Sequence, residues 1–128
     1  MSTEQNPLFK LLNFQFQFHE GERTCEIRCP ISPIMLNALG TVHGGIYTYI
    51  ADTAMGHLAL HFKKHPYVSL ELKTSFLKTA NQGHLTATAR FIKEGQRILF
   101  LECHVKDETG EIMCMTTSTF YRVEHSVN

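Results

Sequence analysis

The chain has 128 residues, 43% of them apolar and 19% charged, with twelve Lys and Arg balanced by twelve Asp and Glu. One domain spanning 1–128 is expected at this length, with a core that needs neither disulfide nor metal staple. A net charge of zero offers no field to polyanions, and no apolar run nears the roughly 20 residues that span a bilayer, so neither nucleic acid nor membrane is expected as a partner.

The N-terminus, Met1 to Pro7, is polar and carries Glu4 where a secretory signal would carry basic charge ahead of an apolar block. A cytoplasmic protein is the expectation. Residues 1–12 read as a loose start with one helical turn from Pro7 to Leu12. Phe14, Phe16 and Phe18 then alternate with Gln15, Gln17 and His19, the period of a strand. After the turn signal Glu20-Gly21-Glu22, Thr24 to Cys29 alternates again, which makes a hairpin. Pro30 and Pro33 end it, and a loop runs from Ser32 to about Val42.

From Gly44 to about Phe62 there is no proline, and apolar residues recur almost all round a helical wheel, which predicts a helix about 28 Å long and buried on every face. Beyond Pro66 the period returns to two in four segments: Val68 to Lys73, Leu85 to Ala89, Ile98 to Val105 and Ile112 to Tyr121. Asn81-Gln82-Gly83, Glu94-Gly95-Gln96 and Asp107-Glu108-Thr109-Gly110 separate them, which predicts an antiparallel meander. The order implies an α+β fold in which a curved antiparallel β-sheet wraps one long central α-helix. One sheet cannot cover such a helix, so a homo-oligomer is expected.

Cys25, Cys29, Cys103 and Cys114 lack the spacing of a zinc knuckle or redox pair and read as free, buried thiols. His57, His61 and His65 fall at i, i+4 and i+8, but Leu58 follows His57 where a metalloprotease needs Glu, so no metal site is expected. The informative stretch runs from Leu36 to Gly45. Gly44 and Gly45 open the helix and leave its first backbone N–H groups unhindered at the positive end of the macrodipole, an arrangement suited to an anion or oxyanion. Asp52 is the only charged residue between Thr41 and Phe62. A carboxylate in an apolar helix is costly unless used, and a nucleophile or general base is one use.

Asp52 lies eight residues past Gly44, about 12 Å along the axis, too far for both to serve one carbonyl. Two antiparallel copies across a two-fold axis place the glycines of one beside the Asp52 of the other, so the site is expected to be shared between subunits.

Asn37-x2-Gly40-x2-His43-Gly44-Gly45, with Asp52 seven residues on, resembles the hotdog-fold acyl-CoA thioesterases of the phenylacetate-degradation and human acyl-CoA thioesterase 13 type. The strand order agrees over nearly the whole chain. The resemblance implies a cofactor-free enzyme that hydrolyses acyl-CoA thioesters as a homodimer or a dimer of dimers. It places the oxyanion amide on Gly44, an Asn near the carbonyl or water on Asn37, the catalytic carboxylate on Asp52, a site-shaping hydrogen-bonder on His43 and a water-placing hydroxyl on Ser69.

That chemistry needs only a carboxylate to attack or to activate water and one or two N–H donors for the oxyanion. Neither a Gly-x-Ser-x-Gly elbow nor a Ser-His-Asp triad is required. Glu71 shares the predicted strand face with Ser69 but reads more simply as surface charge alternating with Lys73. Gly45, Tyr47, Tyr49 and Met55 are candidate substrate-binding residues for a medium-chain or aryl acyl group. Lys93 and Arg97, with Lys78 and Arg90 also considered, are candidates for the CoA nucleotide. A non-catalytic acyl-CoA-binding module and a hydroxyacyl-thioester dehydratase are the alternatives. The second lacks the Pro-rich loop beside a catalytic His.

Overall fold

The computed structural model describes residues 6–124. The expected loose start overlaps residues 1–5, which lie outside the described residues. Asn6 caps a short helix, α1 (Pro7–Leu11), its side-chain oxygen accepting the N–H groups of Leu8 and Phe9 at 3.0 and 3.3 Å. Phe9 and Leu12 turn inward and tie this segment to the core.

Strands β1 (Gln15–His19) and β2 (Thr24–Pro30) form the expected hairpin, with Phe16 opposite Ile27 and Phe18 opposite Cys25. The following loop is more ordered than its composition suggests: it holds a 3-10 turn at Pro33–Met35 and a bridge between Leu36 and Val42. Helix α2 (Gly44–Lys63) then runs to a left-handed cap at Lys64, whose N–H returns to the Leu60 carbonyl at 3.1 Å.

Four strands follow: β3 (Tyr67–Phe76), β4 (His84–Glu94), β5 (Ile98–Lys106) and β6 (Ile112–Arg122). They join the hairpin in one curved six-stranded antiparallel sheet of order β1-β2-β4-β5-β6-β3. The meander expectation needs correction here. Of these four strands only β4, β5 and β6 pair in sequence, while β3 pairs with β6 at the far edge. A period of two reports which side of a strand is buried and carries no record of its neighbour. The β3–β4 connection instead crosses the N-terminal end of α2. There the Ala80 carbonyl accepts the Val42 N–H at 2.9 Å, and the Ala80 N–H donates to the Tyr47 hydroxyl oxygen at 3.1 Å.

The core lies between α2 and the concave face of the sheet. Ile50, Ala54, Met55 and Leu58 of the helix meet Ile27, Ala87, Leu101 and Cys103 of the sheet, all 0% exposed. The helix is nevertheless not buried all round. Gly45, Tyr49, Asp52, Gly56 and Leu60, three or four residues apart, form a stripe that stays half-buried or exposed, with Leu60 47% exposed. A single sheet curves round only part of the helix circumference.

Strand β3 carries a bulge. Ser69 pairs with Phe120 and Glu71 with Thr119, so Leu70 has no partner and the inward set shifts from Tyr67 and Ser69 to Leu72 and Thr74. The extra residue puts Glu71 on the opposite face from Ser69, which corrects the expectation that they share one.

Leu58→Ala, at a fully buried position, is expected to lower unfolding free energy by about 2–5 kcal/mol through lost transfer energy and a residual cavity. Urea denaturation of both proteins measures it.

Candidate active site

Two cavities flank α2. The first opens at its N-terminus, a cleft of about 380 Å³ whose walls include Asn37, Thr41, Gly44, Tyr47, Phe76 and Lys78. Its loop is held by Asn37, whose side-chain oxygen accepts the N–H groups of Leu39 and Thr41 at 2.9 and 3.1 Å and the Thr41 hydroxyl at 3.2 Å. Gly40 supplies the turn with a φ of 80°. With its oxygen committed, Asn37 has only its amide N–H groups to offer as donors.

His43 precedes the helix as N-cap but makes no side-chain capping bond. The first amides of α2 therefore receive no acceptor from that side chain, and they carry the positive end of the macrodipole. Phe76 lies against Gly44, and a Cβ added there would sit 3.2 Å from two ring carbons. Glycine keeps that wall and the backbone together.

The second cavity, about 320 Å³, lies along the exposed stripe of the helix. Asp52 and Ser69 form its polar part, with Tyr49, Thr53, Gly56 and His57 beside them; Phe9, Leu60, Tyr67 and Phe120 supply apolar wall. Burial pushes the Asp52 carboxyl above the usual carboxylate range, and a hydrogen bond from the Ser69 hydroxyl partly offsets the rise. Among the described residues, Asp52 is the only acid on this cavity's wall.

The expected site residues thus fall into two sets. Asn37, Gly44 and Tyr47 share the N-terminal cleft, whereas Asp52, Ser69 and Tyr49 share the cavity along the helix. His43 and Gly45 are exposed at the helix start. Met55 is 0% exposed in the core and lines neither cavity. Lys93 stands beside a second bulge in β4, and Arg97 pairs with Glu124 at 2.7 Å; neither lines either cavity. Lys78 lines the N-terminal cleft while paired with Glu111 at 2.9 Å.

Sequence reasoning missed Phe76 at Gly44 and, in the second cavity, Phe9, Tyr67 and Phe120. Phe9 lies in a segment read as a loose turn, and only its place one turn into a proline-initiated helix hinted at an anchor. The histidine row disperses: His57 bonds the Thr53 carbonyl, His61 bonds Glu20 and His65 bonds Arg122. All four cysteines are buried and free, with burial pushing Cys25 and Cys29 up to about 12 and Cys114 to about 11. None is a thiolate nucleophile near neutral pH.

Residues 39–114, more than half of the chain, match the family model of the thioesterase superfamily, and the chain belongs to that superfamily. Its fold is the hotdog fold. A Pasteurella multocida protein named "Putative esterase" is 26% identical over 117 residues, 90% of this chain and 84% of its own. The crystal structure of a Bacillus halodurans protein with CoA is 28% identical with a TM-score of 0.85, covering 97% of this chain and 85% of that one. The E. coli PaaI protein from the phenylacetic acid degradation operon shares the fold at a TM-score of 0.87 and 20% identity, over 98% and 90% of the two chains. The chain is a thioester hydrolase, acting on acyl thioesters in general terms.

Because the Asp52 carboxyl has a higher pKa folded than unfolded, the folded state binds more protons between the two values, and stability falls as pH rises through that window. Asp52→Asn removes the cost of the buried charge and is expected to raise the melting temperature at pH 7. Scanning calorimetry on both proteins checks it. If the ionised carboxylate drives turnover, the acid limb of kcat/KM lies above the usual carboxylate pKa. Ser69→Ala should move that limb to still higher pH.

Proposed function

We propose that this chain hydrolyses the thioester of a medium-chain or aryl acyl-CoA to the free acid and CoA, as a single 1–128 domain paired in a cytoplasmic homodimer or dimer of dimers. One observation carries the reading. Within one chain, the half-buried carboxylate and the uncapped helix start occupy separate cavities. They lie about 12 Å apart along α2, whereas attack needs base and oxyanion donor within reach of the same carbonyl. A two-fold axis that sets the Asp52 cavity of one subunit against the Gly44 cleft of its partner supplies both.

In that arrangement the thioester carbonyl oxygen rests on the Gly44 N–H, with the Asn37 amide as second donor. Asp52 takes a proton from water as the water oxygen attacks the carbonyl carbon. The tetrahedral oxyanion collapses, the carbon–sulfur bond breaks, and Asp52 returns the proton to the departing thiolate. Ser69 holds the carboxylate and the water in line. His43 shapes the helix start, and Lys78, the one basic side chain on the cleft wall among the described residues, is the group to meet the CoA arm.

Asp52→Asn should lower kcat by about a hundredfold or more while fold and assembly persist, read as free-thiol release from short, medium, long and aryl acyl-CoAs. Wild-type rates in that variant would remove Asp52 from the chemistry. Mixing Gly44→Val with Asp52→Asn subunits should recover activity, since half the sites in a mixed dimer are intact. Mixed dimers as inactive as the parents would overturn the shared site.

A further inference from the structure

His57 stands five residues beyond Asp52, in the same cavity wall, and has no part in the proposed chemistry. Its Nδ1 lies 2.9 Å from the Thr53 carbonyl oxygen. A carbonyl can only accept, so Nδ1 carries the hydrogen. Burial holds the imidazole below its ordinary pKa, so near neutral pH the ring is uncharged and Nε2 presents a lone pair. The ring is fixed between Phe9 and Phe16, with centroids 5.4 and 4.8 Å away. Nε2 makes no hydrogen bond among the described residues and is not sealed from solvent.

Two hydroxyls of the wall spend their hydrogens on backbone carbonyls. The Tyr67 hydroxyl donates to the Gln96 carbonyl at 2.8 Å, and the Thr53 hydroxyl donates to the Tyr49 carbonyl at 2.8 Å. Away from Asp52 and Ser69, His57 brings the only side-chain nitrogens to this wall among the described residues; its Nε2 can only accept, and it is held rigidly among apolar and aromatic side chains, whereas the wall's hydroxyls can turn to donate or accept. Such an acceptor is left unsatisfied by a hydrocarbon and satisfied by a hydroxyl.

Resting on the thioesterase reading above, we propose that this cavity receives the acyl group and that His57 selects acyl groups bearing a hydroxyl at their far end, Nε2 accepting its hydrogen. Five helical residues correspond to about 7.5 Å along the axis, roughly six bonds of an extended chain. The matching probe is 6-hydroxyhexanoyl-CoA, and heptanoyl-CoA is its counterpart with a methyl in place of the hydroxyl.

Wild type is expected to show kcat/KM about tenfold higher for 6-hydroxyhexanoyl-CoA than for heptanoyl-CoA, the difference residing mainly in KM. His57→Leu should bring the ratio to about one or below while keeping turnover of heptanoyl-CoA, which shows that the variant is folded. His57→Gln, whose amide oxygen can accept, should restore part of the preference. Equal kcat/KM for the two probes in wild type overturns the assignment, as does a preference that survives in His57→Leu; in either case Asp52-dependent hydrolysis still stands. Failure of wild type to hydrolyse either probe or any acyl-CoA of the broader set overturns the thioesterase reading itself.

Discussion

A twenty-residue helix that is apolar nearly all round meets a sheet that curves round only part of it, and the rest of the structure follows from that mismatch. Small side chains on the sheet, Cys25, Ala87, Ala89 and Cys103, let the helix sit deep on one side. The uncovered side is where Asp52, Tyr49 and Gly56 lie, and where the chain folds Phe9 back to wall off part of the gap. The cavity beside the carboxylate is thus the space left where covering stops. Its apolar walls are core residues seen from the outside.

That origin also explains the chemistry available there. A carboxylate set among Phe9, Leu60 and Phe120 loses hydration, and Ser69 returns only one hydrogen bond. The group is held at a cost to stability and is correspondingly more basic than a surface carboxylate. The helix start, by contrast, is stiffened by hydrogen bonds that spare its own amides. Asn37 spends its oxygen on the loop, and the β3–β4 crossover clasps Val42 and Tyr47. Both halves of the candidate site are fixed before any substrate arrives, one by packing and the other by loop hydrogen bonds.

The sequence made the elements and their inner faces legible because burial leaves a period. Phe14 to Phe18, Leu85 to Ala89 and Ile98 to Val105 each show it, and the helix limits differ from those expected by a single residue at Lys63. Neighbour order leaves no such trace, so the pairing of β3 with β6 is not legible in the sequence. The bulge at Leu70 was equally silent: a single unpaired residue changes the phase without changing composition, and Glu71 moved to the other face. Asp52 was legible as a lone charge in an apolar run, and Gly44 as half of a glycine pair at a helix start. Met55 looked like pocket lining because hydrophobicity cannot distinguish a cavity wall from a packed interior. At His57 the sequence shows only a spacing to other histidines, since the Thr53 carbonyl that fixes its tautomer is a backbone group.

The bulge has a further consequence at the sheet's margin. Among the described residues strand β3 has β6 as its only neighbour, so within the chain its other side leaves backbone donors and acceptors along ten residues unpaired by a strand, flanked by exposed Val68, Leu70 and Phe76. A straight, apolar edge of that length is a template for open-ended strand addition and hence for aggregation. The extra residue breaks the edge into two short ladders of different phase and twists one against the other. The two ladders, offset in phase, leave no uniform ten-residue run along that edge for an added strand to copy.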